Sequence, residues 1–298
     1  MLIVILGSKG SLGITIGSLL SLKHSVVGVD IDRMDLSKYE NYEDWFKELF
    51  DFNTENIVII NCVGIMGAKE SEANPYKYYE INGILPYKLK QFFNSKLKRY
   101  LFIQISSETV YGKSVNNEMI FSEDDKSSPQ HIYGLSKLIS EQLLKSADSS
   151  NGSTLILRAP ILLFKDQKYP NALTYIAKEI TEKGYATLFG NGEHKRNYAI
   201  AEKFAEDIEN LINCWAMNSK IFQSYVVLNM PGTAISTKEF VDILSGDYKL
   251  EFEIKFEENT KLAFSLLSSS EKFYSTTKLA RPSDRITNLV RWIRNNNV

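Results

Sequence analysis

The first half of this 298-residue chain alternates short apolar runs with longer segments of helical pattern. Each run is apolar along nearly its whole length, which is typical of a strand covered on both faces of a parallel sheet. Because parallel strands need crossover connections, and these are almost always right-handed, the pattern predicts an α/β fold with a doubly wound parallel sheet. The predicted strands are Leu2–Leu6, Ser25–Val29, Asn56–Ile60, Tyr100–Ile105 and Thr154–Leu157.

The element order predicts two domains, residues 1–158 and a smaller lobe of residues 159–298 that is partly interleaved with the sheet. The helix Ala201–Asn213 and the strand Ser224–Leu228 of the second half could return to the main sheet. The helices predicted between the strands of the first half are Leu12–Leu22, Tyr42–Phe50, Pro75–Asn94 and Ile132–Lys145. Further helices are predicted at Ala172–Lys183 and Ser283–Arg294, with a turn-rich loop at Phe189–Gly192.

Charge and composition exclude several classes of function. With 35 Lys and Arg against 36 Asp and Glu, the net charge is -1, so no overall field attracts nucleic acid or an anionic membrane. The two cysteines, Cys62 and Cys214, lie too far apart in the sequence for a metal-binding or redox motif. No apolar run approaches the roughly 18 residues of a membrane span, and no basic leader precedes the first strand. We therefore expect a cytoplasmic protein without a metal site.

A glycine-rich turn follows the first predicted strand. Gly7, Gly10 and Gly13 have the spacing G-x-x-G-x-x-G and lead directly into a helix. Gly7 permits a tight turn, Gly10 allows the backbone to approach a pyrophosphate, and Gly13 allows close packing of helix on strand. The amides of Ser11 and Leu12 would face the phosphates at the positive end of the helix dipole. The turn thus predicts a Rossmann-like dinucleotide site in residues 1–158, against the alternative of a turn that binds nothing.

Asp30 ends the second strand, seventeen positions after Gly13, near the spacing expected for the acidic residue that binds an adenosine ribose. Its carboxylate favours NAD, since it would repel the 2′-phosphate of NADP. Arg33 lies just downstream and could hold that phosphate. The choice between NAD and NADP therefore stays open, and Asp30 could also be an ordinary turn residue.

Tyr133 and Lys137 are four residues apart and share one face of a predicted helix. The apolar stripe of Leu135, Leu138 and Ile139 points the other way and is expected to face the core. An ammonium beside the phenol would lower the Tyr133 pKa from about 10, which suits proton transfer to a substrate oxygen. Ser107, at the carboxyl end of a central strand, could donate a hydrogen bond to the same oxygen. Without Ser107 and the glycine turn, a surface Tyr/Lys pair would be the better interpretation.

Taken together, these motifs resemble the extended short-chain dehydrogenase/reductase family, in its NAD(P)-dependent sugar-nucleotide epimerase, dehydratase and reductase branch. The resemblance covers nearly the whole chain. Its further carriers are Asn61-Cys62-Val63-Gly64, Tyr79-x-x-Asn82, Ser106-Ser107-x-x-Val110-Tyr111-Gly112 and Leu157-Arg158-x-Pro160.

The resemblance implies roles for individual residues. Tyr133 would be the general acid/base, Lys137 would also bind the nicotinamide ribose, and Ser107 with Thr109 would orient the sugar. Asn82 would steady the active-site backbone and belong with the substrate-binding residues. Arg196, in the segment Gly190–Tyr198, would bind the diphosphate of a nucleoside-diphosphate sugar, unless that segment is a solvated basic loop. Residues that would line the cofactor include Asn61, Cys62 and Gly64.

One departure from the family bears on the reaction. Dehydratases of the family carry an Asp-Glu pair after the strand-end hydroxyls, and the matching positions here are Glu108 and Thr109. The base needed for 4,6-dehydration is therefore absent, which leaves reduction of a 4-keto-6-deoxyhexose or 4-epimerisation. The compact connection between Gly64 and Tyr79 favours reduction. A dinucleotide sensor without catalysis is a third hypothesis, and the resemblance also implies a homodimer formed by the helices Pro75–Asn94 and Ile132–Lys145.

Overall fold

The computed structural model describes residues 1–32, 34–38, 42–113, 119–147, 152–165, 170–218, 222, 224–258 and 264–297. The chain divides into two compact units, each assembled from separate stretches of sequence. The first unit comprises Met1–Gly112, Lys126–Ala159 and Ala205–Asn229. The second comprises Lys113–Asp125, Pro160–Phe204 and Met230–Val298. The dinucleotide-binding and substrate-binding roles given to the two predicted domains stay predictions.

Strands and helices alternate along the described chain. The strands are β1 (Leu2–Leu6), β2 (Ser25–Val29), β3 (Ile57–Asn61), β4 (Tyr100–Ser107), β5 (Ile120–Phe121), β6 (Gly152–Ala159), β7 (Ile161–Leu163), β8 (Tyr185–Phe189), β9 (Lys195–Ile200), β10 (Tyr225–Asn229), β11 (Thr233–Ser236), β12 (Glu253–Glu257) and β13 (Leu267–Ser268). The helices are α1 (Ser11–Leu20), α2 (Tyr42–Leu49), α3 (Ala68–Ala73), α4 (Pro75–Tyr78), α5 (Leu85–Lys96), α6 (Ile132–Ser146), α7 (Ala172–Lys183), α8 (Ala201–Met217), α9 (Thr237–Gly246), α10 (Glu271–Thr277) and α11 (Arg285–Asn297). A π-helical segment, Tyr79–Ile84, separates α4 from α5, and a 3-10 helix, Glu108–Val110, follows β4. Within the described ranges, no helix is both long enough and apolar enough to cross a membrane.

A six-stranded sheet forms the centre of the first unit, in the order β10-β6-β4-β3-β1-β2. All five neighbouring pairs are parallel. Strand β2 lies on one side of β1, and strands β3, β4, β6 and β10 follow on the other side, so the direction of strand addition reverses at β1. Ligands of such sheets bind at the carboxyl ends of the strands near that point. The predicted α/β doubly wound fold is confirmed, and strand β10 pairs with β6 at the edge of this sheet.

The central strands are buried because helices cover their apolar side chains. All five residues of β3, and all but the last of β4, are buried. On one side, an aromatic cluster fills the space between the sheet, α2 and α5, with Phe46 in ring contact with both Phe92 and Phe93. Continuous burial on both faces explains why these strands could be recognised from unbroken apolar runs.

The predicted single helix Pro75–Asn94 is wrong in one respect, because the π-helical segment Tyr79–Ile84 interrupts it. Pro86 has no N–H group and cannot donate to the carbonyl of Asn82, four residues earlier. That missing bond accounts for the local change in helical pitch. Segments of this kind are frequent at functional sites, and here the segment contains Asn82.

The second unit combines small sheets with helices around its own apolar core. Its sheets are β11-β9-β7, β12-β8 and β13-β5. The core includes Leu173 and Ile176 of α7, Phe240 of α9 and Val290 of α11. The predicted helix Ala172–Lys183 is confirmed, whereas its short strands and the helix α9 were not predicted.

Candidate active site

At two of the three positions in the glycine turn, close backbone atoms leave no space for a Cβ. Gly7 has φ +79°, and a Cβ there would lie 2.9 Å from the Val63 nitrogen. A Cβ on Gly13 would lie 2.2 Å from the Gly7 carbonyl oxygen, so helix and turn touch at this point. Gly10 differs, because its Cβ would meet only the Gly7 oxygen, at 3.4 Å. The protein's own packing therefore gives no need for glycine at position 10, whereas a bound pyrophosphate would.

Helix α1 begins beside this turn, and its first N–H groups are not used by the hydrogen bonds of the helix. Gly10 donates to the Gly7 carbonyl, and the helical hydrogen bonds begin with Ile14 donating to the Gly10 carbonyl. The amides of Ser11, Leu12 and Gly13 consequently lie in the first turn, where N–H groups have no intrahelical acceptor. The helix also has no side-chain cap and no acidic residue in that turn. These groups fit a dinucleotide pyrophosphate.

Asp30 connects the end of β2 to the glycine turn. One carboxylate oxygen accepts a hydrogen bond of 2.7 Å from the Lys9 amide, and the other accepts one of 2.8 Å from the Ile31 amide. The Lys9 side chain forms an ion pair with Asp32. The predicted contact of Asp30 with an adenosine ribose stays a prediction, and Arg33 lies outside the described residues. Its predicted role in holding a 2′-phosphate stays untested.

The end of β3 places the predicted cofactor-lining residues in different environments. The Asn61 side chain is fully buried, where it donates to Gln104 at 2.7 Å and accepts from the Val63 amide at 3.2 Å. Burial raises the pKa of Cys62 to about 12, so its thiol is not a nucleophile at neutral pH. Among the residues the structure describes, no three His, Cys, Asp or Glu side chains form a group that could hold a metal ion. Through its two hydrogen bonds the Asn61 side chain connects the end of β3 to Gln104 of β4 and to Val63, and its predicted contact with the cofactor stays a prediction.

The structure brings Ser107, Tyr133 and Lys137 together at the carboxyl end of β4. Ser107 lies close enough to the Tyr133 hydroxyl to lower the pKa of that phenol. Both the amide and the hydroxyl of Thr109 donate to the Ser107 oxygen, at 3.2 and 3.0 Å. Lys137 Nζ lies 6.0 Å from the centre of the Tyr133 ring and donates to the Ile105 carbonyl at 3.0 Å. A phenol, a hydroxyl and an amine thus converge beside the carboxyl edge of the sheet.

This group of residues lies next to the glycine turn through the end of β3. A Cβ on Gly64 would be 3.2 Å from Lys137 Nζ, and the Gly7 turn packs against Val63 one residue earlier. The same short segment therefore contacts the turn on one side and the lysine on the other. Such an arrangement fits a dinucleotide that extends from the turn towards Tyr133.

The expected lowering of the Tyr133 pKa is wrong for the residues of the chain alone. Burial raises the pKa of Tyr133 to about 12, and the nearby Ser107 hydroxyl opposes that rise. Burial also lowers the pKa of Lys137 to about 8, because the ammonium loses water. At 6.0 Å from the ring, Lys137 is too far and too desolvated to reproduce the effect expected from their helical spacing. The chain by itself therefore favours the protonated phenol, the form that donates a proton.

The predicted orientation of α6 is also wrong. Its buried face carries Ser136, Lys137, Ser140 and Glu141, whereas Leu135 of the predicted core stripe is 37% exposed. The polar face is buried because it finds partners at the sheet edge, such as the Ile105 carbonyl. Hydrophobic periodicity alone does not register such partners.

Asn82 holds the backbone beside the site. Its side-chain oxygen accepts from the Ile65 amide, and its nitrogen donates to the Ile65 carbonyl, both at 2.9 Å. The same nitrogen donates to Ser136 of α6 at 3.2 Å. Asn82 is fully buried, so its geometry is that of a residue that steadies the backbone. Its predicted membership of the substrate-binding residues stays a prediction.

A buried ion pair beneath the site was missed by the sequence interpretation. Glu141 accepts from Arg158 through both carboxylate oxygens, at 2.7 and 3.2 Å, and from the Ser106 hydroxyl at 2.5 Å. The Arg158 guanidinium lies over the Tyr111 ring, with 4.6 Å from its carbon to the ring centre. The signal was present, because Glu141 lies one helical turn after Lys137 on the same face. The pair supports the strand residue that precedes Ser107.

Arg196 lies in the second unit, on β9. Its guanidinium carbon is 4.1 Å from the centre of the Phe264 ring, a cation–π contact. The neighbouring Asn197 is buried and donates to the Ser268 carbonyl. Arg196 is therefore part of a strand, and the alternative of a solvated basic loop does not describe it. Its predicted contact with a diphosphate stays a prediction.

Fold and site together define a Rossmann-fold oxidoreductase of the extended short-chain dehydrogenase/reductase type. Residues 1–225 match the RmlD substrate binding domain family, and the chain belongs to that family. The family predicted from the motifs is thereby confirmed.

Known relatives and structures agree with this assignment. An uncharacterised UDP-glucose epimerase of Bacillus subtilis is 26% identical over 220 residues, which are 66% of this chain and 68% of the relative. A crystal structure of a dTDP-4-dehydrorhamnose reductase from Clostridium acetobutylicum has a TM-score of 0.78 at 18% identity, covering 98% of both chains. RMD from Pseudomonas aeruginosa, solved with NADPH, has a TM-score of 0.79 at 20% identity, covering 99% of this chain and 98% of that one. At these identities the two structures establish the shared fold.

Proposed function

We propose that this protein is an NAD(P)-dependent oxidoreductase that reduces the 4-keto group of a nucleoside-diphosphate 6-deoxyhexose. The observation that carries the proposal is the convergence of Ser107, Tyr133 and Lys137 next to the glycine turn. The names of a reductase and an epimerase among the similar proteins agree with this class of substrate. Because one of those structures holds NADPH, the proposed cofactor is a nicotinamide dinucleotide, either NAD or NADP.

The residues of the chain supply the proton and the binding groups for such a reduction. A dinucleotide held at the turn of Gly7, Gly10 and Gly13 would supply the hydride for the carbonyl carbon. Tyr133 donates its phenolic proton to the carbonyl oxygen, so the ketone becomes a secondary alcohol, and water then returns a proton to the phenolate. Ser107 donates a hydrogen bond to the same oxygen and shares its developing negative charge. Lys137, next to Gly64, would bind the ribose beside the nicotinamide.

The residues that follow β4 support reduction over 4,6-dehydration. Glu108 is buried in the 3-10 helix after β4, and Thr109 directs its hydroxyl to Ser107. Neither residue offers an exposed carboxylate beside Tyr133 for removal of a C5 proton. The proposed reaction therefore needs only one proton donor and one hydride donor.

A 4-epimerase on the same site is the second candidate, favoured by the similarity to the Bacillus subtilis protein. An epimerase oxidises and then reduces the same sugar carbon, so its dinucleotide is regenerated in each turnover. Purified epimerase would therefore contain bound cofactor and need no added reductant. Ultraviolet absorbance of the denatured, filtered protein distinguishes the two candidates.

We further propose that Arg196 binds the diphosphate of the substrate.

We also propose that the protein is a homodimer and lies in the cytoplasm. The dimer proposal is supported by the exposed apolar side chains of Leu135 on α6 and Ile84 before α5. These positions belong to the helices for which the family resemblance implies pairing. The two cysteines, neither of them in a disulfide, are compatible with a reducing compartment.

The direct test follows NADH or NADPH oxidation at 340 nm with a 4-keto sugar nucleotide as substrate. The Tyr133→Phe variant should lose about 99% of the rate or more, which is typical for removal of a general acid. Tyr76→Phe is the matched control, because the same hydroxyl is removed from a side chain on α4 that is 86% exposed. Full activity of Tyr133→Phe would overturn the acid assignment. Cofactor binding without turnover of any sugar nucleotide would favour the sensor hypothesis.

A further inference from the structure

The helix that carries Tyr133 has an unusual N-terminus. Helix α6 follows His131, whose side chain makes no capping hydrogen bond. The first amides of a helix have no intrahelical acceptor and need partners from elsewhere. Two such amides of α6 are bonded by side chains of α3, about sixty residues earlier. Ile132 donates to a Glu72 carboxylate oxygen at 2.9 Å, and Tyr133 donates to the Ser71 hydroxyl at 3.1 Å.

The Ser71 hydroxyl is itself fixed in direction. Ser71 is fully buried, and its hydroxyl donates to the Ala68 carbonyl at 2.6 Å. Since its one proton is used there, its oxygen is left as an acceptor for the Tyr133 amide. Glu72, by contrast, is exposed and adds a negative charge near the positive end of the helix dipole.

The Tyr133 backbone is held on its carbonyl side as well. Its carbonyl accepts from the Ser136 hydroxyl at 2.7 Å, and Ser136 accepts from Asn82. Asn82 also bonds both backbone groups of Ile65, which begins the segment that leads into α3. The segment from Ile65 to Ala73 is therefore connected to the start of α6 at both of its ends.

We propose that Ser71 and Glu72 are positioning residues that set the place of Tyr133 for proton transfer by capping α6 from a distant helix. The inference rests on the function proposed for Tyr133 above. A small displacement of this helix start would move the phenol from Ser107, and misplacement by about 1 Å can reduce a rate by about a hundredfold.

The test combines four variants with measurements of hydrogen exchange and of steady-state kinetics. Ser71→Ala removes the acceptor for the Tyr133 amide, and Glu72→Ala removes that for Ile132. Glu72→Gln keeps an oxygen acceptor and should restore most of what Glu72→Ala loses. Ser236→Ala is the matched control, because Ser236 caps α9 in the second unit by accepting from the Glu239 amide, at 3.0 Å.

The first measurement needs neither substrate nor turnover. Amide hydrogen exchange at the start of α6 should become faster by about fivefold in Ser71→Ala and Glu72→Ala, the factor expected for one lost hydrogen bond. Ser236→Ala should leave that exchange unchanged. An unchanged exchange rate in both α3 variants would overturn the capping assignment.

The kinetic measurements separate positioning from general stability. In Ser71→Ala, kcat should fall by about tenfold, while the KM for the dinucleotide stays within about twofold, since the glycine turn is untouched. A wild-type kcat in Ser71→Ala, with Tyr133→Phe inactive, would overturn the positioning role alone. Activity in Tyr133→Phe would instead overturn the proposed function.

Discussion

Removal of the Glu141 carboxylate should destabilise the first unit strongly. Glu141→Ala leaves the buried Arg158 guanidinium without its opposite charge, and the guanidinium side chain is only 6% exposed. Breaking a buried pair from one side destabilises a protein by about 3–5 kcal/mol, because the remaining charge has lost its opposite charge and is shielded from water. The Ser106 hydroxyl also loses its acceptor, an effect already contained within that range because the groups share one network. Against a typical total of about 5–15 kcal/mol, this loss is severe.

Urea unfolding, followed by tryptophan fluorescence and circular dichroism, measures the change. Trp45 and Trp215 report on the first unit and Trp292 on the second, so Trp292→Phe leaves only reporters of the first unit. The control is Glu182→Ala, which breaks an exposed pair with Lys178 and should leave the midpoint unchanged.

A double variant tests the reason for the loss. Replacing both Glu141 and Arg158 by Met removes the two charges together and should recover most of the stability, to within about 2 kcal/mol of the wild type. Two results would refute the reasoning. One is a loss below about 1 kcal/mol in Glu141→Ala, and the other is a double variant no more stable than the single one.

Two further outcomes follow from the fold. Lys90 is fully buried beside the Tyr100 ring, and burial lowers its pKa from 10.5 to about 7, so below pH 7 the charged form is held in the core at a cost of at most about 5 kcal/mol. Between pH 7 and 10.5 the unfolded chain binds a proton at Lys90 that the folded chain does not, so the cost disappears as the pH rises. Thermal unfolding should therefore show Lys90→Met to be more stable than the wild type at pH 7, by a margin that shrinks towards pH 10. A margin that stays constant with pH would contradict this. Gly13→Ala should weaken dinucleotide binding at least about tenfold in calorimetric titration, because its Cβ would meet turn backbone at 2.2 Å. Gly17→Ala, whose Cβ would meet only the end of Ile5 at 3.4 Å, should bind normally, and equal binding by both variants would be evidence against the turn as the site.

The strands of the first unit were predictable because strands covered on both faces are apolar at consecutive positions. Leu2–Leu6 and Ser25–Val29 are observed with the bounds expected from their apolar runs. The short strands of the second unit were not predictable in this way. Strand β12, for example, is exposed along its whole length and carries alternating charged residues, so its pairing with β8 is decided by tertiary contact.

The features of the candidate site also differ in whether the sequence alone predicts them. The sequence by itself determined the chemical groups, because the glycine spacing and the four-residue interval between Tyr133 and Lys137 are properties of local backbone geometry. It could not determine which face of α6 is buried, since a polar face becomes interior only where partners such as Arg158 approach from other strands. The Tyr133 pKa and the cap on its helix were likewise decided by the tertiary structure. Burial, and hydrogen bonds such as that from the Tyr133 amide to Ser71, join residues that lie far apart in the chain.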